Sequence, residues 1–210
     1  MAQTLKEETR EAIIQSAKEE FLEKGYKDAS MRSIASKAKM TVGNLYRYFK
    51  NKEDINLSIV GDTLKQIDEV LKNLTDNGVS FETRVYDIKA DTSQLRRMLD
   101  DLADKLVDIY FAHRIEFNIL MLHSKLNDEI TDWFASTIKN LIKQSYGLFS
   151  YEEETNILAR SYAVAIFDGL REMFRISDVD ADSLKKMIRI YFRSYIEMLD
   201  GDIRSFLGGL

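Results

Sequence analysis

Apolar residues recur at intervals of three and four along most of this chain, which is the spacing of one face of an α-helix. The first such stretch runs from Thr9 to Lys24, and Gly25 is a natural end for it. Its apolar positions are Ile13, Ile14, Ala17 and Phe21. A second, longer stretch begins at Lys52 and passes Leu74 without a strong breaker. It predicts a helix of about 22 residues and about 33 Å.

The same periodicity returns after an irregular segment from Thr75 to Ser93, which we predict to be a loop. The later stretches predicted to be helical are 95–110, 114–125, 128–149, 151–176 and 180–199. No segment keeps the apolar-polar alternation of a strand, and the chain has no proline. The pattern therefore predicts an all-α protein with about nine helices.

Two shorter amphipathic stretches lie within residues 30–52. Ser30 and Thr41 are both good N-caps, and they precede the short amphipathic runs Met31–Lys37 and Val42–Phe49. The three residues between Lys37 and Thr41 leave room only for a tight turn. Two short helices joined in this way are typical of a helix-turn-helix. Asn51, with Asp54 three residues later, predicts a capping box for the helix that follows.

The outward side of the second short helix carries groups that suit DNA. These residues are Thr41, Val42, Gly43, Asn44, Tyr46, Arg47 and Tyr48. Asn and Arg make bidentate hydrogen bonds to adenine and guanine edges, and Val or Thr methyls contact the thymine methyl. Gly43 lets the backbone approach a groove, at a cost of about 1 kcal/mol in helix propensity. The tyrosines and the lysines at 37, 39, 50 and 52 suit phosphate contacts.

Charge along the chain agrees with this interpretation. Residues 24–52 contain eight Lys or Arg and one Asp, a net charge of +7, whereas the whole chain carries −5. A duplex would therefore be steered to this segment. The spacing of the two helices alone leaves a purely structural helix pair equally open.

A longer set of residues separates these alternatives. This set consists of Phe-Leu-Glu-Lys-Gly-Tyr at 21–26, Ser-Met-Arg-Ser-Ile-Ala-Ser-Lys-Ala at 30–38 and Gly-Asn-Leu-Tyr-Arg-Tyr-Phe-Lys-Asn-Lys-Glu-Asp at 43–54. Together the three runs resemble the DNA-binding domain of the tetracycline-repressor (TetR) family. The resemblance covers about Thr9 to Leu57. We expect Phe21 and Leu22 to brace the helix-turn-helix rather than to contact DNA.

The resemblance implies that Ser30, Tyr46, Tyr48 and Lys52 contact the DNA backbone, and that Thr41, Val42, Gly43, Asn44 and Arg47 face bases or nearby phosphates. Arg32 and Lys39 complete the predicted DNA-binding set. The family usually has Gly where this chain has Lys39. A left-handed backbone at a non-glycine residue costs on the order of 1 kcal/mol, so we expect a slightly reshaped turn.

The domains predicted from the sequence are a helix-turn-helix domain over 1–54 and a helical effector-binding and dimerisation domain over 55–210. The long helix from Lys52 would connect them and, as the resemblance implies, move when an effector binds. Candidate pocket residues are Phe111, Phe117, Met121, Trp133 and Phe167, although such residues also pack ordinary cores.

The resemblance also implies that the last two helices pair with their copies in a second subunit as a four-helix bundle. Candidate interface residues are Ala159, Tyr162, Ala163, Tyr191, Tyr195 and Met198. Small residues there allow close approach of helices, and the large ones offer apolar surface. The alternative is that they cover the core of their own chain.

Other classes of function find little support in the sequence. The chain has no Cys, so disulfides and thiolate metal sites are excluded. The two histidines, His113 and His123, fit no metal motif, and no catalytic constellation or glycine-rich phosphate loop occurs. We therefore expect no enzymatic activity, cofactor or metal. No apolar run approaches the ~20 residues of a membrane span, and the N-terminus has no apolar signal core. These features favour a soluble cytoplasmic protein without a membrane partner.

The sequence thus predicts a homodimeric transcriptional regulator, a repressor that leaves a palindromic DNA operator when a small apolar or amphipathic effector binds. The alternative is a ligand-binding or protein-interaction module that keeps the fold without recognising an operator.

Overall fold

The computed structural model describes residues 2–76, 92–121, 124–146, 152–176 and 178–200, and these ranges contain nine helices and no strand. The helices are α1 (Ala2–Asp28), α2 (Met31–Lys37), α3 (Val42–Leu45), α4 (Lys52–Asp76), α5 (Thr92–Ala112), α6 (Arg114–Met121), α7 (Ser124–Tyr146), α8 (Glu152–Ile176) and α9 (Ala181–Asp200). The all-α prediction is confirmed. Most of the loop predicted over Thr75–Ser93 lies outside the described residues, because α4 reaches Asp76 and α5 begins at Thr92.

The first helix is longer than its apolar pattern predicts. It begins at Ala2 and continues to Asp28, but its backbone breaks at Gly25, where φ is 74° and ψ is 164°. This conformation is open to glycine because it has no Cβ. Gly25 therefore marks a kink, after which one further turn carries the chain toward α2.

The chain divides into two compact units. The first comprises residues 1–66 and 113–126, so that it contains α1 to α3, the first part of α4, and α6. Its buried core includes Ile13, Ala17, Phe21, Ile34, Leu45, Phe49, Ile55, Phe117 and Leu120. The domain boundary predicted between residues 54 and 55 stays a prediction.

Helix α6 joins the first unit although more than 60 residues separate it from α3 in sequence. Lys18 Nζ on α1 lies 2.6 Å from Glu116 Oε1 on α6. Gln66 Nε2 on α4 lies 3.1 Å from Nε2 of His113, the residue just before α6. Phe117, also on α6, is fully buried. An apolar face with two polar links therefore fixes α6 within this unit.

The second unit comprises residues 67–112 and 127–210, and α5 and α9 pack closely within it. Three carboxylates spaced by four residues on α5 face three cations spaced by four residues on α9. The pairs are Asp100–Arg193, Asp104–Arg189 and Asp108–Lys185. This order requires the two helices to be antiparallel. Each pair is partly solvated and so contributes little to stability alone, but together they specify the register of the helices.

Helices α8 and α9 pack through a close approach at Gly169. A Cβ at this position would lie 2.0 Å from the hydroxyl oxygen of Tyr191. That hydroxyl donates to the carbonyl oxygen of Ala165 at 2.8 Å. The close approach predicted from small residues on α8 thus occurs within the subunit.

The same packing bears on the residues predicted to form a dimer interface. Ala159 and Ala163 are 1% and 0% exposed, so they are covered by their own chain and present no surface to a second copy. Tyr162, Tyr191 and Tyr195 are half-buried, and the side chain of Met198 lies outside the described residues. The exposed apolar side chains of α8 and α9 are instead Ile157, Leu158, Val164, Ile176, Met187 and Ile190.

Candidate nucleic-acid interface

Helix α2 begins with the N-cap that the sequence predicts. Ser30 has an extended backbone, and its Oγ accepts a hydrogen bond from the Ser33 amide at 3.1 Å. Ser33 Oγ in turn accepts from the Ser30 amide at 3.0 Å, so a serine completes a reciprocal capping box. Ile34 and Ala35 are buried, which confirms the predicted inward face.

The turn after α2 is a Schellman motif. The Met40 amide donates to the Ala35 carbonyl at 3.0 Å, and the Lys39 amide donates to the Ser36 carbonyl at 3.1 Å. Lys39 occupies the left-handed position of this motif, with φ at 54°. Lys39 thus takes the left-handed conformation itself within a regular Schellman motif, so the expected reshaping of the turn is not observed. Its exposed side chain adds a cation beside the start of α3.

The second short helix begins as predicted and ends earlier. Thr41 Oγ1 accepts from the Asn44 amide at 3.2 Å, which confirms the N-cap. The α-helix stops at Leu45, so the prediction of a helix through Phe49 is wrong. The Tyr46 amide still donates four residues back, to Val42. The amides of Arg47 and Tyr48 then donate to carbonyls three residues back, at 3.1 and 3.0 Å, as in a 3₁₀ turn.

This tighter turn preserves the predicted division into an inner and an outer face. Leu45 and Phe49 are 0% and 1% exposed, so both anchor the segment in the core. The exposed members of the predicted DNA-binding set are Ser30, Arg32, Lys39, Thr41, Gly43, Tyr46 and Arg47, and the half-buried ones are Val42, Asn44, Tyr48 and Lys52. The outward position of these residues suits contact with a duplex. Lys52 is the exception, because its ammonium is directed toward carbonyl groups of the protein itself.

Two of the lysines assigned to phosphates bind groups within the protein. Lys37 Nζ lies 2.8 Å from Glu23 Oε2 and 3.7 Å from Glu20 Oε2, and its hydrogen bond to Glu23 raises its pKa. Lys52 Nζ donates to three backbone carbonyls. Lys39 and Lys50 are exposed. The local charge of +7 is thus partly compensated, and its exposed carriers include Lys27, Arg32, Lys39, Arg47 and Lys50.

A buried glutamate that the sequence pattern did not single out holds α2 against α1. Glu20 is 0% exposed, and its Oε1 lies 2.7 Å from Lys24 Nζ. Burial raises the pKa of this carboxyl, but hydrogen bonds from Lys24 and Ser33, with the charges of Lys24 and Lys37, outweigh burial and lower its pKa overall. The spacing of Glu20 and Lys24 was a visible signal, yet nothing in it distinguishes a buried acid from a solvated one.

This pair predicts a pH-dependent loss of stability. Because the folded pKa of Glu20 lies below its ordinary value of 4.5, its stabilisation is complete above that pH and is lost as pH falls through the folded pKa. We expect Glu20→Gln to lower the free energy of unfolding by about 1–3 kcal/mol at pH 7. The difference from the parent protein should shrink at pH 3, as measured by urea denaturation. An equal difference at both pH values would contradict this, and the exposed Glu19→Gln is the control.

The start of α4 differs in one detail from the predicted capping box. Asn51 Oδ1 accepts from the Asp54 amide at 2.8 Å, as an N-cap should. The Asp54 carboxylate, however, accepts from the Lys50 amide at 2.9 Å and not from the Asn51 amide. The chain just before α4 is therefore held one residue earlier than predicted.

The residues assigned to an effector pocket are divided between the two units. Phe117 and Met121 are buried in the first unit, on α6, whereas Phe111 and Phe167 belong to the second. Phe167 is buried, Phe111 is 43% exposed, and the side chain of Trp133 lies outside the described residues. A shared pocket stays a prediction.

Two other kinds of feature, a membrane-spanning helix and a metal-binding cluster, are absent from the described residues. None of the helices there is long and apolar enough to cross a membrane. Within the same residues, no group of three or more His, Asp or Glu side chains is arranged to hold a metal ion. His113 interacts with Gln66, and His123 lies outside the described part of the chain.

Comparison with known proteins finds a family that is similar to part of this chain. Residues 13–59 match the family of bacterial regulatory proteins named tetR. Over 54 residues the chain is 44% identical to the HTH-type transcriptional repressor BepR of Brucella suis biovar 1 (strain 1330), a match covering 26% of each chain. Over 81 residues it is 33% identical to the transposon Tn10 TetC protein of Escherichia coli, covering 38% of this chain and 41% of the relative. The chain thus aligns with less than half the length of these relatives.

The wider fold has a counterpart among solved structures. A TetR-like transcriptional regulator from Rhodococcus sp. RHA1 aligns over 90% of this chain and 96% of its own, with a TM-score of 0.53 and 15% sequence identity. At this identity the likeness concerns the fold alone.

Proposed function

We propose that this protein, whose residues 13–59 match the tetR family of bacterial regulatory proteins, is a DNA-binding transcriptional regulator of that family that represses transcription. The observation that carries the proposal is the exposure of Thr41, Gly43 and Arg47, at the N-cap of α3, within it and just after it, while Leu45 and Phe49 are buried. A segment built only for packing has no need to expose this combination of groups.

The chemistry of that face suits a major groove. Arg47 and Asn44 are able to make bidentate hydrogen bonds to base edges, and Thr41 and Val42 carry methyl groups for thymine. The exposed Tyr46, Lys39 and Arg32 are placed around them as phosphate contacts, which set orientation without reading sequence.

We further propose that the protein acts as a homodimer on a palindromic operator. We call residues 41–47 the reading segment. A two-fold dimer places the two copies of this segment about 34–36 Å apart, one turn of the duplex, so that half-site spacing becomes part of recognition. The apolar side chains that α8 and α9 expose, Ile157, Val164, Met187 and Ile190 among them, support pairing through these helices.

Release from the operator would follow from effector binding in the C-terminal helices. A small apolar or amphipathic ligand that binds one arrangement of these helices more tightly favours that arrangement by its difference in affinity. If that arrangement changes the separation of the two reading segments, DNA affinity falls by the same coupling free energy.

The experiment that tests the proposal is binding of the dimer to DNA flanking its own coding region, at physiological salt with excess unrelated competitor. Saturable binding that survives the competitor is the expected result. If it vanishes, a random-sequence selection separates a distant operator from a module that no longer recognises one. Failure to enrich any sequence would overturn the proposal.

A substitution at Gly43 should affect operator binding without lowering the stability of the protein. A Cβ at Gly43 has nothing within 4 Å inside the protein, and the same holds for Gly61 on α4. We expect Gly43→Ala and Gly61→Ala each to raise the free energy of unfolding, by up to about 1 kcal/mol. Only Gly43→Ala should weaken operator binding, by about tenfold, because its methyl faces the groove. Unchanged affinity in both variants would remove Gly43 from the reading face.

A further inference from the structure

The peptide group between Ala29 and Ser30 is held at both of its polar ends. Its carbonyl oxygen accepts a hydrogen bond from Lys52 Nζ at 2.7 Å, and its N–H donates to Ser33 Oγ at 3.0 Å. This peptide leads directly into Ser30, which is the N-cap of α2. Its orientation therefore sets the direction in which α2 leaves the kinked end of α1.

Lys52 makes further contacts at the same point. Its ammonium also donates to the carbonyl oxygens of Tyr26 at 2.5 Å and Lys27 at 3.2 Å. A lysine ammonium has three N–H groups, so all of them are used inside the protein. The acceptors lie at the C-terminal end of α1, where unpaired carbonyls and the helix dipole favour a cation.

An aromatic ring and a second hydrogen bond surround this ammonium. Lys52 Nζ lies 4.5 Å from the centroid of the Tyr26 ring, close enough for a cation–π attraction. The Tyr26 hydroxyl donates to the Glu53 carboxylate, and burial together with this carboxylate raises the pKa of Tyr26 to about 12. Lys52 and Glu53, at the start of α4, thus both bind the segment that connects α1 to α2.

From these contacts we infer that Lys52 is a positioning residue and not a phosphate contact. By holding the carbonyls of residues 26, 27 and 29 it orients α2, and through α2 the reading segment. Its effect on DNA binding rests on the proposed function above. To bind a phosphate, the ammonium would have to release at least one of its three acceptors.

The geometry of the acceptors makes the site specific for lysine. Three carbonyls converge on one nitrogen, which suits the three N–H groups of an ammonium. A guanidinium carries its donors in a flat fork and does not direct three of them to one point from one nitrogen. At a phosphate, by contrast, arginine is a competent replacement for lysine. The Arg variant therefore distinguishes the two roles.

The test compares Lys52→Met and Lys52→Arg with Lys50→Met in the full-length protein. Lys50 is an exposed cation two residues earlier and is a candidate phosphate contact. Amide hydrogen exchange is measured over residues 29–36 without DNA, and operator affinity is measured as a function of salt. Both Lys52 variants should speed exchange at the start of α2 by about tenfold, as expected for loss of hydrogen bonds to a charged group.

The salt dependence separates positioning from phosphate binding. We expect the Lys52 variants to lose operator affinity by about tenfold with an unchanged slope of log K against log salt, and Lys50→Met to lower that slope by about 0.9 without changing exchange. The inference is overturned if Lys52→Met lowers the slope by about 0.9 and Lys52→Arg restores it. It is also overturned if exchange over 29–36 is unaffected, or if the variants are less stable yet bind DNA normally while folded.

The test still decides the role of Lys52 if a variant does not fold or if the parent protein binds no operator. Should Lys52→Met not fold, Lys52→Gln replaces it, since an amide keeps two donors without the charge and a phosphate contact would still lose the same slope. Should the parent protein bind no operator, the proposed function fails, whereas the exchange measurement still decides whether Lys52 orients α2.

Discussion

Replacing Phe21 by alanine should lower the free energy of unfolding of the first unit by about 3–5 kcal/mol, since this removes a large aromatic side chain from a packed core. Phe21 is 0% exposed, and its ring lies 5.6 Å from that of Tyr26. The loss should appear in urea denaturation followed by circular dichroism, with hydrogen exchange locating it in α1 and α2.

The adjacent residue supplies a matched control. Leu22 is 41% exposed, so the expectation that it braces the helix-turn-helix as Phe21 does is wrong. Leu22→Ala should cost less than about 1 kcal/mol, as is usual for surface positions. Similar losses from both substitutions would mean that burial at Phe21 does not stabilise this unit in the way its position indicates.

Replacing Arg47 by alanine should cost about 1–3 kcal/mol of operator affinity, roughly 5- to 150-fold, and relax the choice of base at one position of each half-site. Arg47 is exposed just after α3, in the tight turn that follows Leu45. The expected cause is the loss of a bidentate contact with a base edge, which a phosphate contact does not reproduce.

The measurement is a comparison of affinities for the operator and for single-base variants of it, at several salt concentrations. Relaxed discrimination at one base pair supports base reading. An equal loss on every sequence, with a salt slope reduced by about 0.9, would instead make Arg47 a phosphate contact. Arg32→Ala, at an exposed position on α2, tests whether any nearby arginine has the same effect.

Local signals predicted much of the interface. Ser30 and Thr41 cap α2 and α3 because short hydroxyl side chains satisfy free amides wherever the chain supplies a helix start. The left-handed Lys39 followed from a turn that the family usually forms with glycine. The premature end of α3 was not visible, because Leu45 and Phe49 are four residues apart in an α-helix and remain on one side after a 3₁₀ turn as well.

The functions of individual charged residues were much less predictable. Lys37, Lys50 and Lys52 look alike in the sequence, yet Lys37 pairs with glutamates, Lys50 is exposed and Lys52 binds carbonyls. A long flexible side chain takes the partner that the fold brings within reach, and that partner lies more than 20 residues away for Lys52. Periodicity carries no information about it.

Sequence periodicity by itself determined the all-α class, the nine helices of the described residues and the two short helices α2 and α3 among them, because helix spacing and N-caps are local properties. Tertiary structure alone decided that α6 packs with α1, that Ala159 and Ala163 face inward, and that Lys52 holds the carbonyls before α2. These outcomes depend on which surfaces meet across long separations in the chain. Several pairings satisfy the same pattern of apolar residues, and only packing selects among them.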